Sequence, residues 1–278
     1  MLLLVGLPVE YTIKPCYNNP GAEVIEHNGQ KREYMVYIPP SYEADEPVPL
    51  LMNFHGFGAS ASDYMAYADL RELADSKKFI LVYPQGSCIG GMSHWNPCPV
   101  GGDNKSEADD FGFIEAMIDQ ITSEYQVDMK RIYAAGYSNG GMMAYGLAHY
   151  KSELIAAIAS VSGTMLDCVG PEVSPKPVVH FHGTADSVIP YEGNSYYNSA
   201  QAVVDYWVGI NNTLNEPTVS SDNGIDTYLY EPAKDGIAVA HYKFNECDHI
   251  WFNETFQGKS TAQLIWGFVS DYDINGPR

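Results

Sequence analysis

The sequence predicts an α/β chain with a mainly parallel sheet and helices on both faces. Three observations carry this. From about residue 30 onward, apolar runs of roughly four to eight residues alternate with stretches of helical period. Runs such as Phe79-Ile80-Leu81-Val82-Tyr83 lack a polar face, as strands covered on both sides require. The chemistry-bearing motifs fall just past the ends of such runs, where ligands bind in sheets of this kind.

Taken in order, Tyr34-Met35-Val36-Tyr37-Ile38 reads as a strand ended by Pro39-Pro40, and Leu50-Leu51-Met52-Asn53-Phe54 as the next, stopped by His55-Gly56. Residues 61–76 place Tyr64, Tyr67, Leu70, Leu73 and Ala74 at helical spacing. A strand over 79–83 and a long polar loop to about residue 107 follow, then a helix over 110–125. Arg131-Ile132-Tyr133-Ala134-Ala135 is a strand, with a helix beginning near Asn139. Further strands are expected near 155–161, 177–182 and 238–244, and helices near 197–209 and 259–270.

The chain of 278 residues is long enough for one such domain, and residues 1–278 are expected to form it. Its 25 glycines and 17 prolines are scattered, so no linker divides it, and no internal repeat is visible. With 35 acidic against 15 basic side chains the net charge is −20. That field repels phosphate backbones, so nucleic acid is not an expected partner. It also disfavours anionic substrates and suits neutral esters that release a carboxylate, although acidity serves solubility too. There is no apolar run of 18 residues to span a membrane. The opening Met1-Leu2-Leu3-Leu4-Val5-Gly6-Leu7 is too short for a full signal peptide and lacks a basic start.

The chemical centre is Gly136-Tyr137-Ser138-Asn139-Gly140-Gly141, a G-x-S-x-G pattern between a β-run and a helix-compatible segment. In the α/β-hydrolase fold this is the nucleophile elbow, with the serine on a tight strand-to-helix turn. A serine hydroxyl needs a base, and the base needs an orienting acid, in the chain order Ser, Asp/Glu, His. That order leaves His241 and His249 as bases. His241 sits inside Val239-Ala240-His241-Tyr242 and points sideways from a strand, so it is read as structural. His249 lies past the strand end, where a loop can reach Ser138. Asp186, on the first loop after Pro177-Val178-Val179-His180-Phe181-His182-Gly183, is the expected acid, with Glu192 as the fallback. His180, His182 and Asp186 lack a further ligand at metal spacing, so no metal is expected, and the histidines are read as buried and hydrogen-bonded. The oxyanion hole is expected from the backbone amides of Asn139 and Phe57, the latter in His55-Gly56-Phe57-Gly58. His55 is read as an anchoring residue rather than a proton carrier.

At this point the chain resembles the secreted esterases grouped as polyhydroxybutyrate depolymerase-like and as feruloyl or acetylxylan esterases of carbohydrate esterase family one. The matching stretches are His55-Gly56-Phe57-Gly58, Tyr83-Pro84-Gln85-Gly86, Trp95-Asn96, Asp109-Asp110-Phe111-Gly112-Phe113-Ile114 and Arg131-Ile132-Tyr133. The elbow, His182-Gly183-Thr184-Ala185-Asp186 and His249-Ile250-Trp251 complete the series, in order from about residue 30 to 252. The family usually has glycines before the histidine and a proline after the tryptophan. Here Cys247-Asp248 and Phe252 stand instead, so the rim of the pocket is expected to differ.

Trp95, Tyr137 and Trp251 are expected to wall a shallow cleft suited to an aryl ester or a polyester chain, since rings supply apolar area with few torsions. Asp109 and Asp110 are read mainly as loop anchors. Two disulfides, Cys88–Cys98 and Cys168–Cys247, would fit a secreted or periplasmic enzyme and leave Cys16 unpaired, although spacing alone does not fix the pairing. The expected reaction is acyl transfer to water through an acyl-enzyme, without a cofactor, on a neutral ester that can be polymeric. Acetylxylan and polyhydroxyalkanoate esters are the alternatives to feruloyl or other aryl esters. A peptidase or acyltransferase of the same fold, or a binding protein on this scaffold, are the more distant readings.

Overall fold

In the computed structural model, which describes residues 16, 19–102, 104–166, 173–233 and 236–278, the apolar runs become strands of one ten-stranded sheet. In chain order the first half is β1 (Glu23–His27), β2 (Gln30–Tyr37), β3 (Val48–Phe54), α1 (Ala61–Tyr67), α2 (Arg71–Lys77), β4 (Ile80–Pro84), β5 (Ser87–Ile89), β6 (Met92–His94), α3 (Asp110–Glu124) and β7 (Val127–Tyr137). Then come α4 (Asn139–Tyr150), β8 (Ala157–Val161), β9 (Val178–Gly183), α5 (Ala200–Asn211), β10 (Thr218–Asp222), β11 (Ile225–Tyr230), β12 (Val239–Phe244), α6 (Thr261–Val269), β13 (Tyr272–Asp273) and β14 (Gly276–Pro277).

The strand order is β1-β2-β4-β3-β7-β8-β9-β12-β11-β10. From β4 to β12 every pair is parallel, while β1 and β2 on one flank and β11 and β10 on the other are antiparallel. Successive strand residues face opposite sides. Leu50, Met52 and Phe54 of β3 join the apolar layer beneath α3, α4 and α5, and Leu51 joins the one beneath α1, α2 and α6. The parallel strands β3, β4, β8 and β9 are buried along their whole length because each face carries such a layer, which is why their sequences lack a polar alternation.

Three features differ from the sequence reading. The helix expected over 61–76 is two helices, because the Tyr83 hydroxyl donates to the Ala68 carbonyl (2.6 Å) and accepts from the Leu70 amide (3.2 Å). Backbone groups at the junction are thereby drawn away from the helix. Two hairpins, β1–β2 and β10–β11, turn on Asn28-Gly29 and Asn223-Gly224, all four residues with φ between 50° and 76°. Asn-Gly is the sequence signature of that turn. Finally, Cys88 pairs with Cys16 rather than with Cys98, their Cα atoms 5.6 Å apart. Cys88 of the β5–β6 hairpin lies beside Cys16, a juxtaposition no spacing rule encodes. Cys98 is itself disulfide-bonded. Cys247 is a free thiol, which excludes the expected Cys168–Cys247 bridge; Cys168 lies outside the described residues.

Candidate active site

The site is built at the carboxyl ends of β3, β7, β9 and β12. Between the end of β7 and the start of α4, Ser138 stands at φ 54° and ψ −120°. That conformation costs a non-glycine residue about 1–3 kcal/mol and persists only where its surroundings fix it. Here the Ser138 amide donates to the Val161 carbonyl (2.8 Å), and its carbonyl accepts from the Met142 amide (3.0 Å). The flanking glycines are required by crowding: a Cβ on Gly136 would run into the Gly140 carbonyl, and one on Gly140 into those of Phe54 and His55.

The turn after β9 carries Asp186, and the loop after β12 carries His249. Parallel pairing of β9 with β12 sets these two loops side by side. The Ser138 hydroxyl donates to Nε2 of His249 (2.8 Å), and Nδ1 of His249 donates to Oδ2 of Asp186 (2.8 Å). The other carboxylate oxygen of Asp186 accepts from the amides of Val188 (2.9 Å) and Ile189 (2.7 Å). Burial by itself would raise the Asp186 carboxyl pKa. Hydrogen bonds from His182, His249 and the Ile189 amide outweigh it and hold the group below the usual carboxylate range. Asp186 therefore stays an acceptor for His249 across ordinary pH.

Of the two amides expected in the oxyanion hole, that of Asn139 belongs to the first residue of α4, where a helix leaves its N–H groups without intrahelical acceptors and its dipole is positive. Phe57 follows Gly56, whose backbone packs so closely on the elbow that an added Cβ would lie 3.3 Å from Cβ of Ser138. The loop that carries Phe57 is thus packed against the turn that carries the serine. His55 behind them is buried and bonded at both ring nitrogens, donating from Nδ1 to the Gly56 carbonyl (2.7 Å) and accepting at Nε2 from the Gly86 amide (2.9 Å). Burial lowers its pKa to about 4, and it acts as a brace for the loop.

The aromatic residues fall differently from the sequence reading. Trp95 is 0% exposed, with its indole N–H on the His55 carbonyl (3.1 Å) and its ring edge against Phe54. Trp251 is only 6% exposed and packs edge-on against Tyr64. Both are walls within the core rather than platforms in the cleft, because each ring is large enough to fill the space beneath its own loop. Tyr137 is half-buried; its hydroxyl donates to the His249 carbonyl (2.7 Å) and its ring lies 5.1 Å from the imidazole. The exposed rings are Phe57, 46% exposed, which the sequence reading placed in the site only for its backbone amide, and Tyr67, 50% exposed, which it did not assign there; the Tyr67 hydroxyl accepts from the Trp251 amide (2.9 Å) and its ring meets that of Tyr137. Met92 touches the oxyanion loop at Gly58 and is also exposed.

Two further side chains hold the site together. Asn139 brackets the Trp95 backbone, accepting from its amide (2.7 Å) and donating to its carbonyl (3.1 Å). Asp248 accepts from the Ser187 amide and hydroxyl (both 2.8 Å) and from the His249 amide (2.7 Å), tying the acid loop to the base loop. Asp110 is a buried anchor for Arg32 (2.7 Å), Ser87 (2.9 Å) and the Asn96 amide (2.8 Å), and Asp109 caps α3. Both aspartates are structural here.

Among related proteins, a bifunctional acetylxylan esterase/xylanase of Neocallimastix patriciarum is 29% identical over 258 residues, 90% of this chain and 34% of that protein. Feruloyl esterase B of Piromyces equi is 27% identical over 263 residues, 87% of this chain and 46% of that protein. The chain thus spans less than half the length of either relative. Among solved structures, an acetyl xylan esterase from Aspergillus awamori superposes with a TM-score of 0.66 at 14% identity, covering 90% of this chain and 98% of that one. A Bacillus cereus carboxylesterase superposes at 0.54 with 16% identity, covering 86% and 93%. These likenesses establish the α/β-hydrolase fold. Residues 32–203 match the family described as Esterase PHB depolymerase, and the chain belongs to that family.

Proposed function

We propose that the protein is a serine carboxylic ester hydrolase acting through an acyl-enzyme, with Ser138 as nucleophile, His249 as base and Asp186 as orienting acid. The observation that carries this reading is the continuous hydrogen-bond chain from the Ser138 hydroxyl through His249 to Asp186, at 2.8 Å for each link. His249 takes the serine proton as the hydroxyl attacks the ester carbonyl, and returns it to the departing alcohol. A water then enters, His249 removes its proton and gives it to the Ser138 oxygen as the acyl–oxygen bond breaks, and the acyl group leaves as a carboxylate. The amides of Phe57 and Asn139 donate to the oxyanion of each tetrahedral intermediate.

For substrate, the exposed rings of Phe57 and Tyr67 and the half-buried Tyr137 support a feruloyl or other aryl ester, and the feruloyl esterase among the relatives supports the same choice. Acetylated xylan is the second reading, favoured by the two acetylxylan esterases. The Cys16–Cys88 bridge supports an oxidising, exported location. Among the described residues no helix is long and apolar enough to cross a membrane.

A competition assay tests both levels. Methyl ferulate, an acetylated xylo-oligosaccharide and a 3-hydroxybutyrate oligomer share one tube at equal concentration, with Ser138→Ala as the blank and products followed by chromatography. Ferulate release lost by roughly a thousandfold or more in Ser138→Ala is the expected result. Preferential acetate or hydroxybutyrate release keeps the chemistry and reassigns the substrate. Release that survives Ser138→Ala overturns the nucleophile.

A further inference from the structure

We propose that His182 is a positioning residue for Asp186, locked in one tautomer by a buried hydrogen-bonded chain that starts at Tyr145 and runs through His180. The proposal rests on the reading of Asp186 as the orienting acid.

His180 and His182 alternate with Phe181 along β9 and so share one face of the sheet. Both are buried, with 0% and 1% exposure. Nε2 of His182 lies 2.8 Å from the Ile189 carbonyl and 3.2 Å from Oδ2 of Asp186. Neither oxygen can donate, so Nε2 carries the hydrogen and shares it between them. Nδ1 of His182 lies 3.1 Å from Nε2 of His180, and one of the two must donate. If His182 did, it would be an imidazolium, its charge offset by Asp186 on one side but pressed against the buried rings of His180 and His241 on the other. His180 therefore donates from Nε2, its own Nδ1 is an acceptor, and the Tyr145 hydroxyl of α4 donates to it (2.8 Å). Tyr145 is fixed in turn by stacking on Trp207 of α5. A second arm braces the same strand: Nδ1 of His241 donates to the His180 carbonyl (3.2 Å), and the Tyr191 hydroxyl donates to Nε2 of His241 (2.9 Å). Every ring nitrogen of the three histidines thus has one partner role, and all three rings are neutral.

The consequence for Asp186 is geometric. Ile189 donates its amide to Oδ1 and accepts from His182 at its carbonyl, so His182, Ile189 and Asp186 close a ring of hydrogen bonds around the acid turn. Oδ2 lies against two imidazoles, His249 and His182, but only His249 changes charge in the reaction. A neutral donor holds the carboxylate in place without neutralising it, leaving its full charge to stabilise the imidazolium of His249.

The test compares His182→Leu, which removes the donor, with His182→Gln, whose amide N–H can reach the place of Nε2. Both are assayed on 4-nitrophenyl acetate beside the parent and Ser138→Ala, per folded molecule counted by circular dichroism. His182→Leu is expected to lower kcat about 10- to 100-fold with KM within about threefold, and His182→Gln to recover kcat to within about fivefold of the parent. A kcat in His182→Leu within twofold of the parent, or no recovery in His182→Gln, overturns the proposal. Parent activity that is absent or survives Ser138→Ala instead overturns the functional reading beneath it. Should His182→Leu not fold, nitrogen NMR of the 15N-histidine-labelled parent at pH 7 decides. Neutral Nε2–H tautomers are expected at both His180 and His182, and an imidazolium at His182 or an Nδ1–H tautomer at His180 overturns the chain.

Discussion

Tyr137 and Asn139, the neighbours of Ser138, both use their side chains on the backbones of other loops. Tyr137 reaches the His249 carbonyl, and its partial burial pushes the phenol pKa upward, so it remains a donor at any working pH. Tyr137→Phe removes one hydrogen bond, worth about 1 kcal/mol, and lets the base loop shift. A several-fold fall in kcat with a small loss of stability is expected, readable from steady-state kinetics and urea unfolding. Asn139→Ala keeps the backbone amide at the oxyanion position but leaves the buried amide and carbonyl of Trp95 unpaired. That change is expected to cost about 2–4 kcal/mol in urea unfolding, more than any loss a surface residue would give.

At the scale of elements, the site depends on how loops from different strands are tied. Asp248 joins the turn after β9 to the loop after β12. Its carboxyl pKa is lowered by the bonds from the Ser187 and His249 amides, so the tie is in its ionised form near neutrality. Asp248→Ala is expected to reduce kcat several-fold and to quicken amide hydrogen exchange in residues 184–189 and 246–251. Unchanged exchange there would show that the two loops are held without it. The Cys16–Cys88 bridge closes a chain segment with a sequence separation of 72, and pins residue 16 beside the β5–β6 hairpin. In the chain-entropy picture Cys16→Ser lowers stability by at most about 4 kcal/mol, measured by thermal or urea unfolding without reductant.

For the whole molecule, three buried imidazoles set the response to acid. Burial lowers the pKa of His55 to about 4, of His241 to about 3, and of His180 well below its ordinary value. In the unfolded chain each takes up a proton near pH 6.5. Below that pH the unfolded state binds more protons than the folded one, so stability that is complete above pH 6.5 is lost as the pH falls toward about 3. Each ring contributes a slope approaching about 1.4 kcal/mol per pH unit. Urea unfolding between pH 6 and 5 is expected to show this loss, and His241→Gln to flatten it by about one ring's share. His180 and His241, together with His182, make the cluster around β9 a structural unit, which matches the absence of exposed positions along that strand.

How much of this was legible in the sequence depends on the range of the interactions involved. The parallel core, the elbow around Ser138 and the chain order of Ser138, Asp186 and His249 were readable because each rests on local chemistry: buried apolar runs, glycines in a crowded turn, a loop past a strand end. The hairpins at Asn28-Gly29 and Asn223-Gly224 were local too, and their turn signal was there to be read. Which tryptophan faces the cleft was not, since Trp95 and Trp251 are buried by residues distant in the chain, Phe54 and Tyr64. The pairing of Cys16 with Cys88 and the bridging by Asp248 likewise required the backbone to bring separate segments together. A lone sequence determines which groups are available and on which element each sits. Partners, tautomers and exposure are decided only by the tertiary structure, because hydrogen bonds and burial act through space between residues that the chain keeps far apart.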